Sequence, residues 1–137
     1  VVLEHVDGVP AAASHMARVI KPGGRTIHFV PGRWSTFAIA ARVLPFGPLL
    51  KLLHFAIPSS AGVVEFDVHY DHTDPVALER VFRDAGFRDV RASWTAAQAA
   101  YFRPVLPLYL LVVLYQTLVR ALGLRKLAAY AIVDAHR

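Results

Sequence analysis

The alternation of apolar and polar residues predicts helices and strands in turn. Apolar residues recur at helical spacing over residues 10–20, which predicts an amphipathic helix with Asp7 as its N-cap. The helix is predicted to end at KPGG, because Pro22 disfavours a continuing helix and the two glycines permit positive φ. Residues 25–30 then predict a strand. With residues 1–3 as a preceding strand, this order predicts a parallel strand pair joined by a right-handed crossover.

A second helix and two further strands are predicted nearer the C-terminus. The sequence TDPVALERVFRDAGF offers Thr73 or Asp74 as N-cap, Pro75 as the first helical residue and Gly86 as the C-terminal cap. Residues 87–94 and 128–135 predict strands. Just before this helix, the alternating sequence VVEFDVHYDH predicts an extended segment with one acidic face.

Two apolar, basic stretches interrupt the pattern. Residues 34–58 are interpreted as two short helices, because prolines and a glycine break the stretch. Residues 105–115 carry no formal charge, but Gln116 and Arg120 follow before the ~20 apolar residues that a membrane-spanning helix requires. We therefore predict a packed or interfacial helix here, with Tyr109, Gln116 and Arg120 on one side and mainly leucines on the other.

Composition narrows the class of protein. The 137 residues are 55% hydrophobic and 18% charged, which fits one globular domain and excludes general disorder. The absence of cysteine excludes disulfides and thiolate metal sites, and makes the cytoplasm the default location. The net charge is +5, yet neither residues 9–63 nor residues 91–133 contain Asp or Glu. Single cations among leucines suit an anionic membrane surface or a lipid-like substrate better than nucleic acid.

Four motifs, in order, resemble the class I S-adenosylmethionine-dependent methyltransferases. They are VLEHV, the helix ending RVIKPGG, the strand RTIHFV and the later ALERVFRDAGF. In that family the stretch matching Leu3, Glu4 and His5 closes the fourth strand, the KPGG turn precedes the fifth, and AGF precedes the sixth. The resemblance implies an α/β fold: the C-terminal half of a Rossmann-like methyltransferase sheet, with parallel strands and an antiparallel last strand.

The resemblance also implies a domain organisation. Residues 1–137 would form a single partial methyltransferase domain, and residues 31–64 and 95–127 would be apolar helical insertions that cover the acceptor or face a membrane. These residues contain neither a glycine-rich turn after a strand nor an acidic residue closing a second strand, the features that hold the cofactor in such folds. We therefore expect a C-terminal fragment that is inactive alone.

The implied activity is methyl transfer from S-adenosylmethionine, the expected cofactor, to a hydrophobic small-molecule or lipid-like acceptor. The expected cofactor-binding residues are Val2, Leu3, Glu4 and His5, because strand ends hold ligands in α/β sheets. His5 is also the candidate general base, since imidazole titrates close to neutrality. The expected acceptor contacts are Trp34, Phe37, His69 and Tyr70.

Other interpretations of these residues stay open. Glu4 and His5 would serve equally as a cap for the following helix, and Trp34 and Phe37 as core residues. His69, Asp71 and His72 suit a divalent metal by type. In a strand, however, His72 would point away from the other two, so no metal is expected. The alternative function is a non-catalytic membrane-surface or lipid-binding module. For either function the expected location is the cytoplasm, including peripheral contact with the inner face of a membrane.

Overall fold

The computed structural model describes residues 2–36, 38, 39 and 69–137, which form a small α/β fold. The helices are α1 (Val9–Val19), α2 (Pro75–Asp84) and α3 (Leu106–Ala121). The strands are β1 (Arg25–Pro31), β2 (Arg88–Thr95) and β3 (Tyr130–His136). Short 3₁₀ helices span Leu3–His5, Ala99–Phe102 and Arg125–Leu127. The two helices predicted within residues 34–58, and the extended segment as far as residue 68, lie outside the described residues.

The three strands form one sheet in the order β1, β3, β2, and both pairings are antiparallel. The first residue of β1, Arg25, and the first residue of β2, Arg88, both pair with His136 near the end of β3. The outer strands therefore run in the same direction with β3 reversed between them. The parallel pair predicted between residues 1–3 and 25–30 is not formed among the described residues, where both pairings are antiparallel and Leu3–His5 is a 3₁₀ helix.

The start of the described chain is a tight turn and not the predicted strand. Leu3–His5 is a 3₁₀ helix. The Val2 carbonyl accepts a hydrogen bond from the His5 N–H at 3.0 Å, and the Leu3 carbonyl accepts one from the Val6 N–H at 3.3 Å. These local bonds take up carbonyl groups that a strand would present to a neighbour. The predicted strand, helix, strand unit therefore lacks its first strand among the described residues.

The two helices that pack on the sheet begin where the sequence predicts, but one cap differs. The predicted N-cap Asp7 is wrong: Gly8 caps α1 with a left-handed φ of 86°, a conformation that glycine adopts without steric cost. Of the two N-caps predicted for α2, Thr73 and Asp74, the structure has Asp74. Its Oδ1 accepts hydrogen bonds from the backbone N–H groups of Val76 and Ala77 at 3.1 and 2.9 Å. Gly86 follows α2 with φ 94°, as predicted.

The hydrophobic core lies between the sheet and the pair α1 and α2. Strand β3 supplies small side chains on the core side, Ala131, Val133 and Ala135, which allow the helices to approach closely. Leu78 and Phe82 of α2 are fully buried here, and each stabilises the fold by about 1.5–3 kcal/mol. On the opposite side of the sheet, large apolar side chains are exposed. They are Ile27, Phe29 and Ile132.

A partly buried carboxylate joins helix α2 to strand β2 and to the segment after α3. Glu79 Oε1 accepts hydrogen bonds from the Ala92 backbone N–H at 3.0 Å and from Arg125 Nη2 at 2.5 Å, while Glu79 Oε2 meets Arg83 Nη2 at 3.3 Å. Arg125 also donates to the Ala92 carbonyl at 3.2 Å. We call Glu79, Ala92 and Arg125 the Glu79 junction.

Helix α3 is held by apolar and polar contacts on one side. Val112 and Val119 are buried, and Gln116 Oε1 accepts hydrogen bonds from the backbone N–H groups of Gln98 and Ala99 at 3.0 and 3.3 Å. Gln116 therefore faces the protein together with Val112 and Val119, and several leucines face outward. Within the described ranges, no helix combines the length and apolarity needed to cross a membrane.

The Glu79 junction predicts a pH dependence of stability. Burial raises the pKa of Glu79, but hydrogen bonds from Arg125 and Ala92 and the charges of Arg125 and Arg83 outweigh it, so the folded-state pKa lies below the ordinary 4.5. The resulting stabilisation is complete above the unfolded pKa and is lost as the pH falls through the folded pKa. We expect Glu79→Gln to lower the free energy of unfolding at pH 7 by about 1–3 kcal/mol, and the deficit to shrink below pH 4.5.

Urea denaturation of both proteins across this pH range measures the difference. The control is Arg83→Gln, which removes the exposed partner of Glu79 together with a hydrogen bond to the Val90 carbonyl and should still cost no more than about 1 kcal/mol. A Glu79→Gln deficit that stays constant down to the lowest pH would contradict the role given to the carboxylate charge.

A second prediction concerns Gly32, where the chain leaves β1. Its N–H donates to the Ala129 carbonyl at 2.7 Å, and a Cβ at this position would lie 2.0 Å from the Ala128 carbonyl oxygen. We expect Gly32→Ala to lower the free energy of unfolding by about 2–3 kcal/mol, because a backbone atom must move. Gly23→Ala, whose Cβ meets nothing within 4 Å but whose φ is 77°, should cost only about 1 kcal/mol. Equal losses in urea denaturation would show that Gly32 is not sterically required.

Candidate functional site

The topology places Leu3–His5 near the C-terminal end of β1. Helix α1 ends at Val19 and returns to the start of β1 through a short turn, where the Gly23 N–H donates to the Arg137 carbonyl at 2.9 Å. The other end of α1 therefore lies towards the end of β1, and Leu3–His5 directly precedes that end. Strand ends of this kind are where α/β folds hold ligands.

A segment far away in sequence joins Leu3–His5 at this position. The Glu4 carbonyl accepts hydrogen bonds from the backbone N–H groups of His69 and Tyr70, at 2.8 and 3.4 Å. The structure thus brings together two groups of residues that the sequence analysis assigned separately, Glu4 and His5 to the cofactor and His69 and Tyr70 to the acceptor.

The backbone around Tyr70 differs from the predicted extended segment. Tyr70 and His72 have φ values of 50° and 51°, in the left-handed region that few residues other than glycine adopt. Such conformations cost about 1–3 kcal/mol each and occur where the surrounding structure enforces them. The expectation that His72 points away from His69 and Asp71 assumed that these residues form a strand. In the observed turn, His72 Nδ1 lies 2.5 Å from Asp71 Oδ1.

The side chain of Glu4 is the most unusual feature of the site. It is only 3% exposed, and its Oε2 atom has no hydrogen-bond partner among the described residues. Glu4 Oε1 lies 3.6 Å from His5 Nε2, outside hydrogen-bonding distance. Burying an ionised oxygen without a donor is unfavourable. Among the described residues, Glu4 Oε2 is therefore a buried acceptor whose hydrogen-bonding capacity is unused.

The other predicted site residues are placed differently. The His5 side chain is 33% exposed next to Glu4. Val2 is 66% exposed and has no regular secondary structure. Trp34 lies beside α3, where its carbonyl accepts a contact from the Tyr115 hydroxyl at 3.5 Å. Phe37 lies outside the described residues.

A shallow cleft of about 230 Å³ lies between α1 and α2. Its lining includes His72, Ser14, Arg80 and Asp84. Ligand pockets for drug-sized molecules are larger, about 300–1,000 Å³, so this cleft alone does not enclose a nucleoside. In the part of the chain that the structure describes, no three side chains of His, Asp or Glu are grouped so that they could hold a metal ion.

Sequence reasoning missed a chain of amides that connects the end of β1 to α3. Gln98 is 3% exposed, and its Oε1 accepts hydrogen bonds from the Thr36 N–H at 2.9 Å and the Thr36 hydroxyl at 2.5 Å. Gln116 in turn accepts from the Gln98 N–H. Two glutamines 18 positions apart give no local signal for this network.

Comparison with known proteins adds no relative: neither the protein-family models nor the curated proteins include a match to this chain.

The unpartnered oxygen of Glu4 predicts that this residue is retained for function at a cost in stability. We expect Glu4→Gln to raise the free energy of unfolding at pH 7 by about 1 kcal/mol, because a neutral amide is cheaper to bury than a charged carboxylate. The control Asp7→Asn, at an exposed position, should change it by less than about 0.5 kcal/mol. Thermal and urea denaturation measure both variants. A clear loss of stability in Glu4→Gln would instead indicate a structural role.

Proposed function

We propose that this chain is the C-terminal part of a class I S-adenosylmethionine-dependent methyltransferase acting on a hydrophobic small-molecule or lipid-like acceptor. The observation that carries the proposal is the meeting of Glu4 with His69 and Tyr70 at the end of β1. These residues were assigned to the cofactor and acceptor sites from motifs more than 60 positions apart. Their contact supports a single site in which donor and acceptor lie side by side.

The strand directions give independent support. The resemblance assigns β1 and β2 to the fifth and sixth strands of the family, which share a direction, and β3 to the reversed last strand. The observed strands have these directions. Helix α2 connects β1 to β2 and packs in the core against the sheet, as a crossover helix does. An ordinary antiparallel meander would instead place consecutive strands side by side.

The residues at the strand end fit the expected cofactor. S-adenosylmethionine carries an ammonium group and ribose hydroxyls, which are donors suited to the unpartnered Glu4 Oε2. When bound, it supplies an electrophilic methyl group on a sulfonium centre. The Leu3 side chain is buried beside Glu4 and contributes an apolar wall. In this proposal the cofactor-binding loop of the upstream half completes the site, so the 137 residues alone are inactive.

The chain's own contribution to methyl transfer is positioning, proton removal and exclusion of water. The acceptor and the methyl group must be aligned for in-line displacement, and holding reacting groups in line is a large part of the rate enhancement. His5, partly exposed next to Glu4, is placed to take a proton from an acceptor that must lose one. In this proposal the segment of His69 and Tyr70, which bonds to the Glu4 carbonyl, borders the acceptor, and Trp34 supplies a more distant apolar contact.

Calorimetric titration of the complete natural protein that contains this chain with S-adenosylmethionine tests the proposal. We expect Glu4→Gln to weaken binding by about 10- to 100-fold, the value of a charged hydrogen bond. His5→Gln should leave affinity unchanged but slow methyl transfer by about 100-fold. His15→Gln, at an exposed position on α1, is the matched control and should change neither.

Absence of binding heat from the wild-type protein would overturn the methyltransferase proposal. Loss of affinity in His15→Gln equal to that in Glu4→Gln would show that the effect is not specific to the strand end. If the wild-type protein gives no binding heat, the non-catalytic lipid-binding alternative is the better description of the chain.

A further inference from the structure

Helix α3 presents a row of leucines to solvent. Six leucines of this helix and its C-terminal cap are each 51% to 67% exposed, and five of them recur at every fourth position. They are Leu106, Leu110, Leu111, Leu114, Leu118 and Leu122. We call this surface the leucine face. Because each step of four residues advances by about 40° around a helix of 3.6 residues per turn, these side chains form an apolar strip that winds over about 160° of the helix surface.

The leucine face is not the side by which α3 is attached to the rest of the fold. Val112 packs with Ala99 and Phe102 in a small second core, and Val119 is also buried. Gln116 binds the backbone of the preceding segment on this same side. Since the attached side already fixes the helix, the outward strip is free to contact a partner. Contiguous exposed apolar surface of this kind marks interaction sites in soluble proteins.

Cations surround the leucine face. Arg120 lies along one edge of the helix, and Arg103 and Lys126 lie beyond its two ends; all three side chains are exposed. The segment from residue 91 to residue 133 contains no Asp or Glu, so no nearby carboxylate of this segment neutralises them. A negatively charged partner is therefore favoured over a neutral or basic one.

The second long edge is aromatic and basic. Tyr115 stands beside the leucines, and its hydroxyl meets the Trp34 carbonyl at 3.5 Å. Trp34 is 40% exposed, with the Arg33 guanidinium 5.7 Å from its ring centre. Trp and Tyr side chains favour the boundary between lipid tails and headgroups, where an apolar ring and a polar group are both accommodated.

We propose that the leucine face lies flat in the interface of an anionic lipid bilayer, with Arg103, Arg120, Lys126 and Arg33 among the phosphate headgroups. The 16 residues of α3 measure about 24 Å, short of the ~30 Å hydrocarbon core, so the helix lies in the plane of the membrane. A second copy of the chain fits less well. Pairing two leucine faces would bring like-charged ends together, with no carboxylate of this segment to offset them.

The proposal goes beyond methyl transfer and does not depend on it, because the leucine face and its cations share no residue with the strand end; Trp34 alone is assigned to both surfaces. Docking would bring the protein to a compartment where lipophilic acceptors are concentrated. The experiment below contains no cofactor, so its failure would leave the methyltransferase proposal untouched, and the reverse also holds.

Co-sedimentation of the 137-residue chain with vesicles tests the proposal. One set consists of phosphatidylcholine, and the other of three parts phosphatidylcholine to one part phosphatidylserine. We expect binding to the anionic set that weakens with added salt. Leu110→Ser with Leu114→Ser should reduce partitioning about tenfold or more. The matched control, Val19→Ser with Ile27→Ser, alters two equally exposed apolar residues elsewhere and should retain binding.

Two further double variants test the contribution of the positive charges. Arg120→Gln with Lys126→Gln should weaken binding to the anionic vesicles and flatten its salt dependence, whereas Arg18→Gln with Arg88→Gln, exposed cations away from α3, should not. Far-ultraviolet circular dichroism confirms folding of every variant. The proposal would be overturned if the Leu110→Ser, Leu114→Ser variant partitioned as strongly as the Val19→Ser, Ile27→Ser variant. It would also be overturned if the wild type bound neither set of vesicles. A wild-type dimer without lipid binding that the Leu110→Ser, Leu114→Ser variant converts to a monomer would overturn it as well.

Discussion

The carboxylate of Glu79 links three parts of the fold, helix α2, strand β2 and the segment that follows α3. Through the Ala92 N–H it fixes helix α2 along strand β2, and through Arg125 it fixes the segment that leaves α3 and leads into β3. Arg125 closes the arrangement by donating to the Ala92 carbonyl. Because this carboxylate is partly buried and bonded to both a backbone N–H and a guanidinium, its hydrogen bonds are stronger than those of an exposed ion pair. Through Arg125 it also holds the segment that follows α3 and leads into β3.

Local patterns predicted the elements well where the controlling interactions are also local. The strand after KPGG, the helix opened by Asp74 and Pro75, and the last strand all occur within one or two residues of the predicted bounds. Each depends on caps, glycines or alternation within a few residues. The pairing of the strands, in contrast, depends on residues that lie far apart in the sequence. Nothing in residues 25–30 specifies that a strand from the far end of the chain will lie between β1 and β2, and the first predicted strand failed because its carbonyls bond within their own turn.

The candidate site was predicted in part for the same reason. The resemblance assigned Glu4, His69 and Tyr70, and the structure adds that Glu4 bonds to the backbone of the other two, but the unpartnered Oε2 depends on burial that no sequence pattern reports. Helix α3 shows the limit of periodicity. Its residues are apolar on nearly every side, so the pattern could not decide which side faces the protein. Gln116 marks the side of α3 that faces the protein, because its side chain accepts hydrogen bonds from backbone N–H groups of the preceding segment.

The position of β3 has a consequence for how the protein forms during synthesis. Strand β3 is the last of the three in sequence and the central one in space, and Arg25 pairs with His136 across almost the whole length of the chain. Neither β1 nor β2 has a hydrogen-bonded neighbour in the described sheet until β3 leaves the ribosome. Until then, the edges of β1 and β2 that face β3 have no hydrogen-bonded strand, which slows folding and favours non-native strand pairing or aggregation. The last of the three strands to be translated is thus the one that joins the other two into a sheet.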